Sequence, residues 1–310
     1  MLKSILDSKR CFKLICGAGN EDISQVERLV KLYSVAGCKF FDLSANADVI
    51  DAAKRALEDR VGYLCVSVGL KGDPHIRKAQ IDVDKCKQCK KCEEICPQKA
   101  ISYCKVKFRE RCIGCGKCFD VCKNSAIDFV DEKSDLKDVL PPLIEKGIDC
   151  IELHTMNEDD EDSFEKWDYI KNNFEGMLSI CTSRGNLSET KMINRIKKMI
   201  KNRGEYTTIV QADGFPMSGG QDDFKTTLQA VATAEIVQNA ELPVYIMLSG
   251  GTNSKTAELA KMCGIDYNGI AVGSFARKIV KDYISRDDFL TNKNIFNEAL
   301  NIAKNLVMSV

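Results

Sequence analysis

Eight cysteines fall into two runs with one spacing, Cys-x2-Cys-x2-Cys-x3-Cys. The first passes through Cys86, Cys89, Cys92 and Cys96 and is followed by Pro97. The second passes through Cys112, Cys115, Cys118 and Cys122 and is followed by Lys123. A cubane 4Fe–4S cluster needs four thiolates set tetrahedrally, and two-residue spacers let one tight loop wrap three corners of the cube. Zinc is the alternative reading of so many thiols, but zinc sites usually pair Cys-x2-Cys units that lie far apart in the chain. The spacing points to single-electron transfer or to sensing of redox state.

The two runs are one unit repeated at an offset of 26 residues, and the offset persists beyond the cysteines, with Ala100 and Ile101 matching Ala126 and Ile127. A repeat of this kind is a duplicated structural unit. Residues 75–130 resemble the bacterial two-cluster ferredoxins. In that family the fourth cysteine of each run ligates the other cluster. The resemblance therefore implies one 4Fe–4S cluster on Cys86, Cys89, Cys92 and Cys122, and a second on Cys112, Cys115, Cys118 and Cys96. Lys123 stands where the pattern has proline. A lysine there would favour the more negative reduced state of a nearby cluster and raise its potential.

The elements that must position this segment read as alternating strand and helix. Buried parallel strands appear as short apolar runs bounded by turn residues. Eight such runs occur, at 12–16, 39–43, 62–68, 149–153, 177–181, 206–211, 244–249 and 269–272. Helical patterns follow each, among them 21–36 after Asn20, 47–59 after Asn46, 189–202 after Ser188 and 254–262 after Asn253. Gly37, Gly147, Gly204 and Gly264 stand where glycines end helices. Eight βα units predict a (βα)8 TIM-like barrel, with a doubly wound sheet as the alternative. The organisation expected is a first barrel part at 1–74, the two-cluster insert at 75–130 after the third strand, and the rest of the barrel at 131–310. Without the insert the chain has about 250 residues, the usual size of such a barrel. The insert replaces a βα loop, and those loops form the catalytic face. The clusters are thus expected at the barrel mouth, the alternative being an accreted module that serves only a partner protein.

Strand ends supply the other candidates. Ser249, Gly250, Gly251 and Thr252 follow strand seven, and Gly273 and Ser274 follow strand eight. Barrels often grip phosphate there, where glycines admit backbone N–H groups and a helix start favours negative charge. This pair resembles the phosphate grip of FMN-binding and phosphosugar barrels and implies FMN or another phosphate-bearing ligand; plain turn glycines are the alternative. Asp213 follows strand six at the start of a long glycine-rich loop and is a candidate proton donor or ligand of a substrate hydroxyl, or else a turn cap. His154 ends strand four and is a candidate acid or base, or else a residue bonded to backbone. Arg184 follows strand five and is a candidate anion ligand, or else a solvated side chain. The run Asn157-Glu158-Asp159-Asp160-Glu161-Asp162 reads as a solvated helix start. Gly17-Ala18-Gly19-Asn20 is a turn, since it lacks the third glycine of a dinucleotide fingerprint. His75 carries no assignment.

Composition narrows the setting. Forty-five basic and 45 acidic residues balance, which gives no reason to expect nucleic acid or a membrane surface as partner. No run approaches the roughly 20 apolar residues that span a bilayer, and the N-terminus lacks a secretory pattern. Sixteen cysteines without such a signal point to a reducing cytoplasm. Those outside the runs, Cys11, Cys16, Cys38, Cys65, Cys104, Cys150, Cys181 and Cys263, read mostly as small buried hydrophobes.

The opening Phe12-Lys13-Leu14-Ile15-Cys16-Gly17-Ala18, the stretch Tyr33-Ser34-Val35-Ala36-Gly37, and Asp42-Leu43-Ser44-Ala45 resemble the cyanobacterial light-dependent period family. So does the order of barrel strands, two-cluster insert and remaining barrel. That resemblance implies an iron–sulfur protein that reports redox state to a circadian clock. Two functions follow as expectations. One is an iron–sulfur oxidoreductase passing electrons between its clusters and a flavin or small-molecule substrate at the barrel mouth. The other is a non-enzymatic redox sensor, or an electron carrier, read by a partner protein.

Overall fold

The computed structural model describes residues 1–17, 19–69, 77–131, 135–155, 160–185, 187–214 and 223–310. Ala18, His75, Asn186, the run 157–159, the loop 215–220 and the expected boundary at 74/75 lie outside the described residues.

Eight parallel strands close into a barrel. They are β1 (Cys11–Ile15), β2 (Phe40–Ser44), β3 (Tyr63–Val68), β8 (Cys150–His154), β9 (Met177–Ser183), β10 (Thr208–Asp213), β11 (Tyr245–Ser249) and β12 (Gly269–Val272). Their order around the barrel is β1-β12-β11-β10-β9-β8-β3-β2, so the (βα)8 reading holds and the doubly wound sheet does not. Between β3 and β8 the chain leaves the barrel. There β4 (Arg77–Ile81) pairs antiparallel with β7 (Ile127–Asp131), and β5 (Ile101–Ser102) with β6 (Lys105–Val106).

The strands form where apolar runs must be buried on both faces, and the helices where apolar residues recur every three or four positions. In the helix Ile23–Val35 the buried residues include Val26, Leu29, Val30 and Tyr33. Tyr33 stacks on Phe12 and donates its hydroxyl to the carbonyl of Ala276 at 2.8 Å. Each such side chain, fully buried, contributes about 1.5–3 kcal/mol. Asn46 and Ser188 cap their helices as expected. Two other caps shift. Asp22, not Asn20, caps Ile23–Val35, and the last helix of that set starts at Thr256, past Asn253. After Glu189–Ile200 the left-handed residue is Asn202, at φ 65°, rather than Gly204.

The barrel interior has two halves. Its N-terminal half is apolar, built from Cys11, Phe40, Cys65, Cys150, Ile209, Tyr245, Met247 and Ala271. A short helix, Leu2–Asp7, plugs that end with Leu2 and Leu6, and the Tyr245 hydroxyl donates to Asp7 at 2.6 Å. Nothing in the sequence reading anticipated the plug. The next layer towards the C-terminal face is polar, and it carries the chemistry described below.

Candidate functional site

The cysteine runs are shaped by backbone that most residues avoid. Left-handed φ occurs at Gln88, Lys90 and Lys99 in the first repeat (54°, 61° and 51°), and at Gly114, Gly116 and Ser125 in the second (61°, 82° and 47°). Each pair is one repeat apart, so the duplicated sequence folds as a duplicated loop. Lys90 and Gly116 then open the short helices Lys91–Ile95 and Lys117–Asp120. Backbone amides reach the sulfurs in the same repeating way. Ala100 N–H donates to Cys96 Sγ at 3.3 Å and Ala126 N–H to Cys122 Sγ at 3.4 Å. Gln88 and Ala79 amides likewise serve Cys86 and Cys112, both at 3.4 Å. Such bonds favour the thiolate form that binds metal.

Two cavities lie among these loops. One is lined by Cys86, Cys89, Cys92 and Cys122, with Cys104 and the apolar walls Ile81 and Ile127. The other is lined by Cys96, Cys112, Cys115 and Cys118, with Ala79, Ile101 and Phe129. Three cysteines in each come from one repeat and the fourth from the other, the two sets implied by the ferredoxin resemblance. Four sulfurs around an apolar hollow suit a 4Fe–4S cubane as a donor set. The thiols also crowd one another: burial pushes Cys118 up to about 12, and Cys115, Cys112 and Cys96 push the same way. Burial raises Cys92 and Cys115 as well. Neighbouring thiolates repel, so sharing a cation is what lets all four ionise. Cys104 is buried as expected and also lines the first cavity, whereas Cys263, read with it as a buried hydrophobe, is exposed.

The second cavity faces the barrel. Lys78, 2 % exposed, donates to the carbonyls of Gly19 (2.8 Å) and Cys112 (3.0 Å) and lies 3.4 Å from the Glu21 carboxylate. It joins a cysteine loop to the loop that leaves the C-terminal end of β1. Arg111 pairs with Asp22 at 2.7 Å, Glu21 N–H donates to the Glu110 carbonyl at 2.8 Å, and Lys281 donates to the Pro97 carbonyl at 3.0 Å. The first cavity lies on the solvent side, where Cys89 is exposed.

Inside the barrel, Lys13 on β1 is fully buried. Its ammonium lies 2.7 Å from Asp42 Oδ2 on β2 and 2.6 Å from Glu152 Oε2 on β8, and donates to Gln211 Oε1 on β10 at 3.0 Å. Burial works against that charge, but Asp42, Cys65 and Glu152 outweigh it and hold the Lys13 pKa well above its ordinary value. Ser67 donates to Asp42 at 2.6 Å, Ser179 to Glu152 Oε2 at 3.0 Å, and Gln211 Nε2 to Glu152 Oε1 at 2.8 Å. Burial would raise Glu152; Lys13 and then His154 pull it down instead. His154 Nε2 sits 3.4 Å from Glu152 Oε1. Asp213 accepts from Cys181 Sγ at 2.7 Å, and burial raises its carboxyl to about 6 despite that bond. His154 and Asp213, each expected separately as a candidate acid or base, therefore stand in one buried network.

Sequence reasoning missed Lys13, Asp42, Glu152, Gln211 and Cys181 as members of it. The usable signal was a polar residue at the middle of an apolar strand, as in Phe12-Lys13-Leu14, Phe41-Asp42-Leu43, Ile151-Glu152-Leu153 and Val210-Gln211-Ala212.

The remaining candidates lie at the same end of the barrel. Gly250 and Gly251 have φ of 68° and 75°, and a Cβ on either would strike Gly214 or Thr226. Ser249 is the register partner of Asp213, and Thr252 donates to the Ala271 carbonyl at 2.5 Å. Gly273 opens the helix Ser274–Ile279. Arg277 in that helix turns back to the Ile15 carbonyl at 2.6 Å. Arg184 is half-exposed and pairs with Glu189 at 3.2 Å. No helix among the described residues is long and apolar enough to cross a membrane.

Comparison with known proteins adds the following. Residues 84–133 match the family model "LdpA Fe-S cluster-binding domain", and residues 142–309 match "Light dependent period A C-terminal domain". The chain is 31% identical over 290 residues to Light dependent period A of Synechococcus elongatus, covering 88% of this chain and 81% of that protein. Among solved structures, the YdjI aldolase of Escherichia coli K12 superposes with a TM-score of 0.53 over 98% of this chain and 92% of that one, at 5% identity. That likeness is one of barrel fold alone.

Proposed function

The chain belongs to the light dependent period A family and carries its iron–sulfur-binding domain, and from that premise we propose that it is a cytosolic iron–sulfur oxidoreductase with two 4Fe–4S clusters. The proposed ligands are Cys86, Cys89, Cys92 and Cys122 for the outer cluster, and Cys112, Cys115, Cys118 and Cys96 for the inner. The unit that holds them is taken as 75–130, between barrel parts 1–74 and 131–310. The clusters supply single-electron chemistry. The chain's own residues set the route, with the set that includes the exposed Cys89 outermost and the other fastened at the barrel mouth.

The observation that carries this reading is the link through Lys78. One buried lysine bonds both Cys112 and the β1 loop, on the face where barrels bind substrates. The proposed barrel-side redox partner of the clusters is a phosphate-bearing ligand, flavin or substrate. Ser249 ends β11 and Gly250, Gly251 and Thr252 follow it, while Gly273 and Ser274 follow its neighbour β12 on that face. His154 and Asp213 are proposed to move protons there, the raised Asp213 suiting a group that gains and loses one near neutrality. Arg184, paired with Glu189 at 3.2 Å, is the proposed anion ligand.

A second reading, a redox sensor that signals to a partner protein, is favoured by a specific surface. Ile95, Tyr103 and Phe119 are exposed on the cysteine segment, and Lys87, Lys90 and Lys91 border the outer cavity. Exposed apolar side chains among charges suit protein docking.

The deciding experiment is anaerobic purification followed by acid precipitation and fluorimetry of the supernatant. Stoichiometric flavin, with turnover lost in Asp213→Asn and His154→Gln while iron content holds, is the expected result for the oxidoreductase. Intact clusters with no flavin would remove FMN from the proposal and shift the weight to the sensor.

A further inference from the structure

Outside the cysteine runs, one group of side chains has the composition and spacing of a metal centre. Oxygen, nitrogen and sulfur donor atoms of Glu152, His154 and Cys181 all lie within 4.8 Å of one another, and all three residues are buried. Asp213 Oδ2 lies behind them and accepts from Cys181 Sγ at 2.7 Å. We propose that Glu152, His154 and Cys181 bind a single divalent transition metal ion inside the barrel, separate from the iron–sulfur clusters, which makes His154 a ligand and leaves the proton transfer assigned above to Asp213.

Register brings the three together. Glu152 and His154 are two apart on β8 and so point to one face. His154 is the partner of Cys181 on β9. Two adjacent strands thus aim their donors at one point near their C-terminal ends.

The groups behind the donors are arranged as they are behind metal ligands elsewhere. Lys13 and Ser179 hold Glu152 Oε2, at 2.6 and 3.0 Å. Gln211 holds Oε1 at 2.8 Å, on the side turned to His154. The ammonium of Lys13 therefore lies on the far oxygen of the carboxylate. Charge points the same way. Asp42 and Glu152 place two buried carboxyl groups on one ammonium, and buried charge that is not fully offset is costly. A dication at the His154 side offsets the excess. The other conceivable triple, Asp42, Cys65 and Glu152, already has a cation, since Lys13 bridges its two carboxylates.

Donor chemistry selects the ion. One thiolate, one imidazole and one carboxylate form a borderline set suited to Zn²⁺ or Fe²⁺, whereas Mg²⁺ and Ca²⁺ prefer oxygen alone.

The test uses the full chain with its clusters intact, iron and sulfide having been counted, loaded with Zn²⁺ alone. X-ray absorption at the zinc edge is expected to show one sulfur at about 2.3 Å and nitrogen or oxygen neighbours at about 2.0–2.2 Å. A shell of four sulfurs would put the zinc in the cysteine runs and overturn the proposal. Calorimetric titration with Zn²⁺ is expected to show one site, weakened about tenfold or more by Cys181→Ser and by His154→Gln, with cluster iron unchanged. No binding to the wild-type chain, or equal binding by the variants, would also overturn it. Because cluster iron is read separately, loss of the clusters would not be mistaken for loss of this site.

Discussion

The barrel and the cysteine segment solve the same problem in opposite ways. The barrel surrounds its sheet with one continuous apolar core drawn from every strand and from the helices outside, and against that background it keeps a buried ion network at its centre. The cysteine segment has a core of Ala79, Cys92, Ala100, Ile101, Cys112, Cys118 and Ile127, and three of those seven are proposed metal ligands. Apolar burial on that scale does not overcome the entropy of ordering a unit of this size. Such small units hold together through metal or disulfide bonds. The barrel therefore owes its fold to burial and can hold charge inside; the cysteine segment owes its fold to its ligands and their metal.

The largest effect should come from removing that metal. Anaerobic chelation of iron is expected to abolish hydrogen-exchange protection through β4 to β7 while leaving the barrel strands protected. Hydrogen exchange with mass spectrometry reads both regions in one sample. Equal loss in both, or protection retained in the segment, would break the contrast.

A smaller effect should come from the barrel's ion network. Lys13→Met leaves Asp42 and Glu152 buried without their cation, and removing one partner of a buried pair costs about 3–5 kcal/mol. Urea denaturation is expected to show that loss with iron content unaltered. Adding Asp42→Asn and Glu152→Gln should restore much of it, since the penalty lies in uncompensated charge rather than in lost packing. A single variant as stable as wild type would mean that the network contributes little.

The contrast also explains what could be read from sequence. Every barrel strand was legible to within two residues, because burial on both faces writes itself as a local apolar run. The cysteine runs were legible because cluster geometry demands fixed spacing. Local rules failed where a residue serves something distant. Asp22 caps its helix and also pairs with Arg111, while Asn20 instead braces the Cys16 carbonyl at 3.1 Å. Lys13 sits in a strand that reads as apolar, and only the closed barrel brings Asp42 and Glu152 to it. The helix Leu2–Asp7 is too short to show a period, and its role depends on the open barrel end that it fills. In each case the information is a long-range contact, which no window of neighbouring residues contains.

The smallest effect is a test within the cysteine segment itself, where the two repeats meet one backbone requirement with different residues. The left-handed residue before the short helix is Lys90 in the first repeat, at φ 61°, and Gly116 in the second, at φ 82°. A side chain in that conformation costs about 1 kcal/mol relative to glycine. Lys90→Gly should therefore stabilise the outer loop by about 0.5–1 kcal/mol, and Gly116→Ala should destabilise the inner loop by a similar amount. A Cβ at Gly116 has only the Arg77 guanidinium nearby, at 3.8 Å, so the penalty there is one of backbone conformation rather than of clash. The rate of cluster loss under oxygen reads both variants, and it should slow for the first and quicken for the second. If Lys90→Gly instead hastens loss, the lysine must hold the outer loop through its charge beside the cluster. The two repeats would then differ in electrostatics as well as in strain.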